Sequence, residues 1–340
     1  MKRTKTVKSI GLAILAVLVL ALTAGAGSGK SVIKIATLAP EGSSWIEAFD
    51  GINAELKKKT SGAVRFKIYA GGVLGDEKDM IRKMYVGQIQ GAVLTSAGLS
   101  NIFSEMDVFQ IPFLFESYDE VDYVEKNMAG LFKKGFEKKG FTLLAWSEGG
   151  FIRLMSTVPI ASVDDLRKAK VWTWEDAPMA KAIFDEARIS AIPLSLPDVL
   201  VGLQTGLVDV VYAPPSGAIS LQWFTKTKYM TDLPLMYLIG ALVVTQKSFN
   251  RLSPENRKVL VEVCAKHMAH LKEIIRQENQ EAIQVMIRHG VKLIKPSNDQ
   301  IEQLEEISHK AMTRQMGKSF SPKVKNQVTD LLEAFRKSKK

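Results

Sequence analysis

Apolar and polar positions along the chain follow two alternating periods. Val32-Ile33-Lys34-Ile35-Ala36 reads as a strand, and Trp45, Phe49, Ile52 and Leu56 then recur at helical spacing until Ser61-Gly62 stops the pattern. Ser44 with Glu47 predicts a capping box at the start of that helix. Val64, Phe66 and Ile68 alternate with Arg65 and Lys67, as a half-buried strand requires. Asp76 opens a second helix carrying Met80, Ile81 and Met84, and Gly91-Ala92-Val93-Leu94 follows as a buried strand. Ser117 and Glu120 predict another capping box, and Phe141 to Ala145 another strand. Strands alternating with helices in this way are the mark of α/β layers.

The second half repeats the rhythm. Ile152 to Ser156 reads as a strand, followed by a short helix capped by Ser162, a strand at Lys170 to Trp174 and a helix from Pro178 to Glu186. Ser190 to Leu194 is predicted as a strand, Pro197 to Thr205 as a helix, Val208 to Tyr212 as a strand ending at Pro214-Pro215, and Gly240 to Thr245 as one more apolar strand. From the cap at Ser253 and Pro254 to Gly290 there is no internal Gly or Pro, and Val259, Leu260, Val263, Leu271, Ile274, Ile275, Ile283 and Met286 keep helical spacing. At about 1.5 Å per residue, a single helix here would be roughly 50 Å long and would brace two lobes. A break near Gln277 to Gln280 into two helices is the alternative.

The N-terminus changes the setting. Lys2, Arg3, Lys5 and Lys8 precede an apolar run from Ile10 to Leu22 and the small residues Ala24-Gly25-Ala26, the layout of a secretory signal peptide cleaved after Ala26. The run is shorter than the ~20 residues that span a bilayer, so an uncleaved anchor is the second reading. The formal charge of the 340 residues is +10, and loss of the four charges in this segment leaves +6, spread among acids. That argues for a solvated surface and against nucleic acid. A soluble periplasmic location is expected.

Catalytic signatures are lacking. One cysteine excludes an internal disulfide and thiolate-rich metal centres, and Cys264, beside Val263 in the long helix, reads as a buried apolar residue. His267 and His270 share a helix face but bring no third ligand. Gly29-Lys30-Ser31 resembles the end of a phosphate-binding loop, yet it runs into a strand instead of opening a helix. No metal, cofactor or enzymatic activity is expected.

Ile111-Pro112-Phe113-Leu114-Phe115 and Leu203-Gln204-Thr205-Gly206-Leu207-Val208-Asp209 resemble the DctP-like solute-binding proteins of TRAP transporters. Gly72-Val73-Leu74-Gly75, Asp164 to Val171 and Arg251-Leu252-Ser253-Pro254-Glu255 agree with the same family in the same order. The resemblance implies an α/β, two-lobed periplasmic-binding-protein fold (type II-like) with the long helix bracing both lobes. Residues 31–150 and 238–275 are then expected in lobe I, and 151–237 and 276–340 in lobe II. It also implies a small-molecule solute captured between the lobes, and membrane permease subunits as partners. A sensor or scaffold of the same fold, assembled with a periplasmic helical-repeat protein, is the alternative class.

Three positions depart from the family's pattern. Trp172 stands where most members carry a carboxylate-gripping arginine, Ile152 where a second arginine is found, and Ala213 where an asparagine precedes the proline. Leu38 replaces an often polar residue near the first strand. These changes predict a hydrophobic or aromatic solute, with a polar end held by Thr95, Tyr212 or Arg153. Arg153 falls on the opposite strand face from Ile152 unless a bulge turns it inward, in which case it would bind an organic acid. Trp172 and Trp174 share a face by strand alternation, so either both face the cleft, as expected, or both are core residues; Trp45 and Leu196 complete the expected lining.

Overall fold

The structure is a computed structural model that describes residues 30–175 and 177–339; the expected signal segment 1–26 lies outside the described residues. The first half runs β1 (Ser31–Ala36), α1 (Ser44–Lys59), β2 (Val64–Tyr69), α2 (Glu77–Tyr85), β3 (Gly91–Thr95), α3 (Ser96–Ile102), a 3-10 turn at Ser104–Gln110, α4 (Tyr118–Lys138) and β4 (Phe141–Ser156). It continues with α5 (Val163–Lys168), β5 (Trp172–Thr173), α6 (Pro178–Ala187), β6 (Ile192–Pro193), α7 (Val199–Thr205), β7 (Val210–Ala213), α8 (Pro215–Ser220), β8 (Tyr229–Thr231) and β9 (Met236–Thr245). The last stretch holds α9 (Gln246–Phe249), α10 (Pro254–Arg288), β10 (Lys292–Ile294), α11 (Asn298–Gln315) and α12 (Pro322–Ser338).

Two lobes share one long strand. Parallel β2, β1 and β3 are extended by antiparallel β9 and then β4, and these strands form the sheet of lobe I. Beyond Ile152, β4 leaves β9 and pairs with β7 and β8 in lobe II, where β10 lies parallel to β8. The predicted strands at Phe141 to Ala145 and Ile152 to Ser156 are therefore one element that crosses between lobes. Register shifts fall between Leu143 and Ala145 and between Glu148 and Gly150, so the strand bends where it changes lobe.

Gly150 serves that bend. Its φ is +102°, and a Cβ there would collide with the Asn279 amide and stand 2.9 Å from the Tyr118 hydroxyl. Gly150→Ala is expected to cost at least about 2 kcal/mol, from backbone strain and overpacking together. Denaturant unfolding checks it, and a loss below about 0.5 kcal/mol would remove the argument for a required glycine.

The long helix is unbroken. α10 spans 35 residues, with the Ser253 hydroxyl accepting from Asn256 N at its start, and the two-helix alternative does not occur. Leu260, Val263, Cys264, Met268, Leu271 and Ile275 pack into the core of lobe I, while Met286 packs into that of lobe II. Burial raises the Cys264 thiol pKa far above its ordinary value, so the thiol stays protonated. His267 meets Glu55 at 2.9 Å and His270 meets Glu273 at 3.4 Å.

Some local expectations change. The capping box at Ser44 does not form: Ser43 is the N-cap and donates to Pro40 O, while Ser44 Oγ donates across to Glu278 Oε2 at 3.2 Å. At Ser117 only half a box forms, since Glu120 accepts from Glu116 N at 2.7 Å. Ser162 and Asp165 make the full reciprocal pair. The expectation that residues 276–340 lie in lobe II fails for α12. Val324, Val328 and Leu332 pack with Phe132 and Phe136 in lobe I, and Arg336 binds Glu120 at 2.7 Å, so the chain returns to its first lobe.

Candidate functional site

The ends of the lobe strands converge on a cleft of about 1340 Å³, counting the solvent at its mouth. Lobe I contributes Leu38, Ala39 and Pro40 after β1, Trp45 on α1, and Thr95 at the end of β3. Lobe II contributes Trp172 on β5, Trp174, Leu196, and Tyr212 and Ala213 on β7. The floor comes from the crossing strands, with Ile152 on β4 and Met236 and Leu238 on β9. Ligands of α/β folds bind at the carboxyl ends of parallel strands, and β1 and β3 meet this cleft at theirs.

The lobes touch around the cleft, so this is a closed arrangement. Leu196 N donates to Asp76 Oδ2 at 3.1 Å, and the Pro197 ring lies against Gly72, within 3.0 Å of where its Cβ would be. At the hinge, Asn279 of α10 accepts from Ser216 N at 3.0 Å and donates to Gly149 O at 2.8 Å. One side chain thereby ties the long helix to the start of α8 and to the bend in β4.

Aromatic side chains dominate the lobe II wall. Trp172, 1% exposed, packs against Tyr212 (4.9 Å between centroids), Trp223 (5.4 Å) and Trp174 (5.8 Å), and its Nε1 donates to Leu194 O at 3.0 Å. Trp174 Nε1 is buried with no hydrogen-bond partner within the protein. The Tyr212 hydroxyl is engaged by Thr173 and the Trp174 backbone, and Thr95 Oγ1 donates to Glu77 Oε2 at 2.8 Å. Two of the three polar hooks named from the sequence thus have internal partners.

The third hook points away. Arg153 does not line the cleft; it pairs with Asp232 at 2.7 Å. The alternative in which a bulge turns Arg153 inward does not occur: the register shifts of β4 lie upstream, at Leu143 to Ala145 and Glu148 to Gly150, and leave Ile152 turned inward and Arg153 outward. The other named positions, Leu38, Trp45, Thr95, Ile152, Trp172, Trp174, Leu196, Tyr212 and Ala213, all line the cleft.

Charge in the wall is entirely acidic. Among the described residues lining the cleft there is no Lys, Arg or His, while Glu77, Glu148 and Glu278 are present. Sequence reading missed these three. Glu148 is saturated by Arg276, which reaches its two oxygens at 2.7 and 2.9 Å. Glu77 takes hydrogen bonds from Thr95 N and Oγ1 in a space left by Gly98, where a Cβ would stand 2.6 Å from Glu77 Oε2. Burial pushes Glu77 up to about 7 against the partial relief of those bonds.

That raised value fixes a sign. The unfolded carboxyl ionises near its ordinary value of 4.5 and the folded one near 7, so the folded state holds the extra proton between them. Stability from Glu77 is complete below pH 4.5 and is lost as pH rises to about 7. Glu77→Gln mimics the protonated form, so its stability relative to wild type is expected to rise by about 3 kcal/mol from pH 4.5 to 7.5. Parallel stability curves in urea would contradict this.

Comparisons with known proteins agree with the geometry. The family model for bacterial extracellular solute-binding proteins, family 7 (DctP), matches residues 35–319. The 2,3-diketo-L-gulonate-binding periplasmic protein of Escherichia coli is 26% identical over 247 residues, covering 71% of this chain and 74% of that protein. The C4-dicarboxylate-binding periplasmic protein of Rhodobacter capsulatus is 26% identical over 234 residues, covering 68% and 69%. The galactonate complex of a sugar acid binding protein from Advenella mimigardefordensis superposes with a TM-score of 0.84 at 21% identity, covering 90% of this chain and 99% of that one. With a fold of two lobes, a cleft at the strand ends and a family match along most of its length, the chain belongs to the DctP family, family 7 of the bacterial extracellular solute-binding proteins.

Proposed function

We propose that this chain is the periplasmic receptor of a TRAP-type transporter, and that its cleft takes a hydrophobic or aromatic solute instead of a small carboxylate. The observation that carries the reading is the cleft wall without a cation among its described residues. The relatives described above are named for acids or hold one, and an acid desolvated here would find no cationic side chain in the wall to pair with. Burying an unpaired carboxylate costs several kcal/mol, whereas roughly 200 Å² of apolar solute surface gains about 5 kcal/mol.

Capture works through closure. A solute touching Trp45 and Trp174 at once stabilises the closed state by its contacts to both lobes, together with the Asp76 to Leu196 bond, and the closed form is the one delivered to the membrane permease. No observation favours a sensor or a helical-repeat partner over transport.

Mass spectrometry of small molecules released from gently purified, then denatured protein tests the reading. A recurrent apolar or aromatic molecule is expected, and a recurrent sugar acid or dicarboxylate would overturn it. Arg153→Ala is expected to leave solute affinity within twofold, because the guanidinium is engaged with Asp232 outside the cleft. A tenfold loss in calorimetry would return Arg153 to the site.

A further inference from the structure

Behind the cleft floor lies a second cavity of about 680 Å³, counting open solvent. Its walls are Leu154 on β4, Val163 and Leu166 on α5, Ile183 and Phe184 on α6, and Leu304 and Ile307 on α11, closed by Pro112 and Phe113. Among the described residues lining it, the two polar side chains are internally engaged: Ser308 Oγ donates to Leu304 O at 2.7 Å, and Tyr212 is held by Thr173 and Trp174. Such a space offers water nothing to bind.

Two features set it apart from a packing defect. Ile152, Ala180, Tyr212 and Met236 line both cavities, so the partition between them is a layer of side chains, one of them an adaptable methionine. Phe113, on the wall, holds φ +59° with its N bonded to Leu235 O at 2.8 Å, a left-handed conformation that bulky residues seldom keep.

We propose that the second cavity receives the apolar tail of the solute, which is therefore an amphiphile with a ring or other compact head in the cleft and an alkyl chain passing beside Met236. This rests on the apolar-solute reading and adds a length requirement to it. An alkyl chain matches the apolar side chains that line this space.

para-n-Alkylphenols from methyl to nonyl, titrated calorimetrically into the full protein, test it. Affinity is expected to rise about fourfold per methylene over several carbons. Ile183→Phe and Leu304→Phe, which narrow the second cavity without lining the cleft, are expected to flatten that rise while leaving the methylphenol affinity within twofold. A nonylphenol with a terminal diazirine, photolysed in wild-type protein, is expected to label peptides 183–189 and 304–308, independently of how the variants fold. Labels confined to the cleft mouth, or a length dependence that persists in both variants, would overturn the second site. Methylphenol binding with no gain from longer chains would overturn it while leaving the apolar-solute reading intact. Absence of binding at every length would overturn both.

Discussion

Trp172→Ala is expected to lower the stability of the protein by about 3–5 kcal/mol and, by loosening the Trp174 and Tyr212 rings that rest on it, to weaken solute binding at least about tenfold. The ring is the meeting point of Trp174, Tyr212 and Trp223, and its removal leaves a hole that short β5 cannot collapse into, held as it is by the Val171 bridge to Val210 and by pairing to β6. The Nε1 bond to Leu194 O is lost as well, freeing the segment that carries Leu196 to the cleft. Trp223→Ala should damage stability comparably, since Trp223 is also 1% exposed. Urea unfolding with an unchanged m-value, combined with calorimetry on the folded fraction, checks it. A Trp172→Ala protein that loses less than 1 kcal/mol or keeps wild-type affinity would contradict the assignment.

Arg276→Met is expected to be comparably damaging, at about 3–5 kcal/mol, although the residue lies behind the cleft. Glu148 has a side chain 0% exposed and receives two bonds from Arg276 and one from the Tyr237 hydroxyl. Arg276 also binds both oxygens of Asp122 at 2.7 Å and lies over the Tyr118 ring at 4.6 Å. Burial pushes Asp122 up, but the bonds from Arg276 and Lys272 outweigh it and hold the carboxyl below its ordinary value. Removing the guanidinium strands Glu148 in the hinge, with Lys272 at 3.9 Å as its remaining cation. Adding Glu148→Gln to Arg276→Met is expected to restore much of the loss, because the buried charge then disappears along with its partner. Additive losses in thermal unfolding would show that the two groups act independently.

The residues whose positions could be read in advance are those governed by short periods. Strand alternation alone places Ile152 inward and Arg153 outward, and puts Trp172 and Trp174 on one face. The long helix was legible because 35 residues without internal Gly or Pro, capped by Ser253, have little alternative. The continuity of β4 was not, since Glu148-Gly149-Gly150 looks like a break and becomes a bend only when β9 pairs across it. Glu77 reads as an ordinary acid in the first turn of a helix. Its burial comes from Thr95 and Gly98, far along the chain. The hinge network escaped for the same reason, as Asp122, Glu148 and Arg276 lie on three separate elements. α12 carries no mark of the lobe it joins; the choice is made by the apolar face that α4 leaves open to Val324, Val328 and Leu332.

Paired calorimetric titrations of one protein sample, first with a para-alkylphenol and then with galactonate and succinate, address the solute class most directly. The phenol is expected to bind saturably with a negative heat-capacity change, the sign of apolar burial, and neither acid to give heat. Micromolar binding of an acid, with the phenol silent, would contradict it.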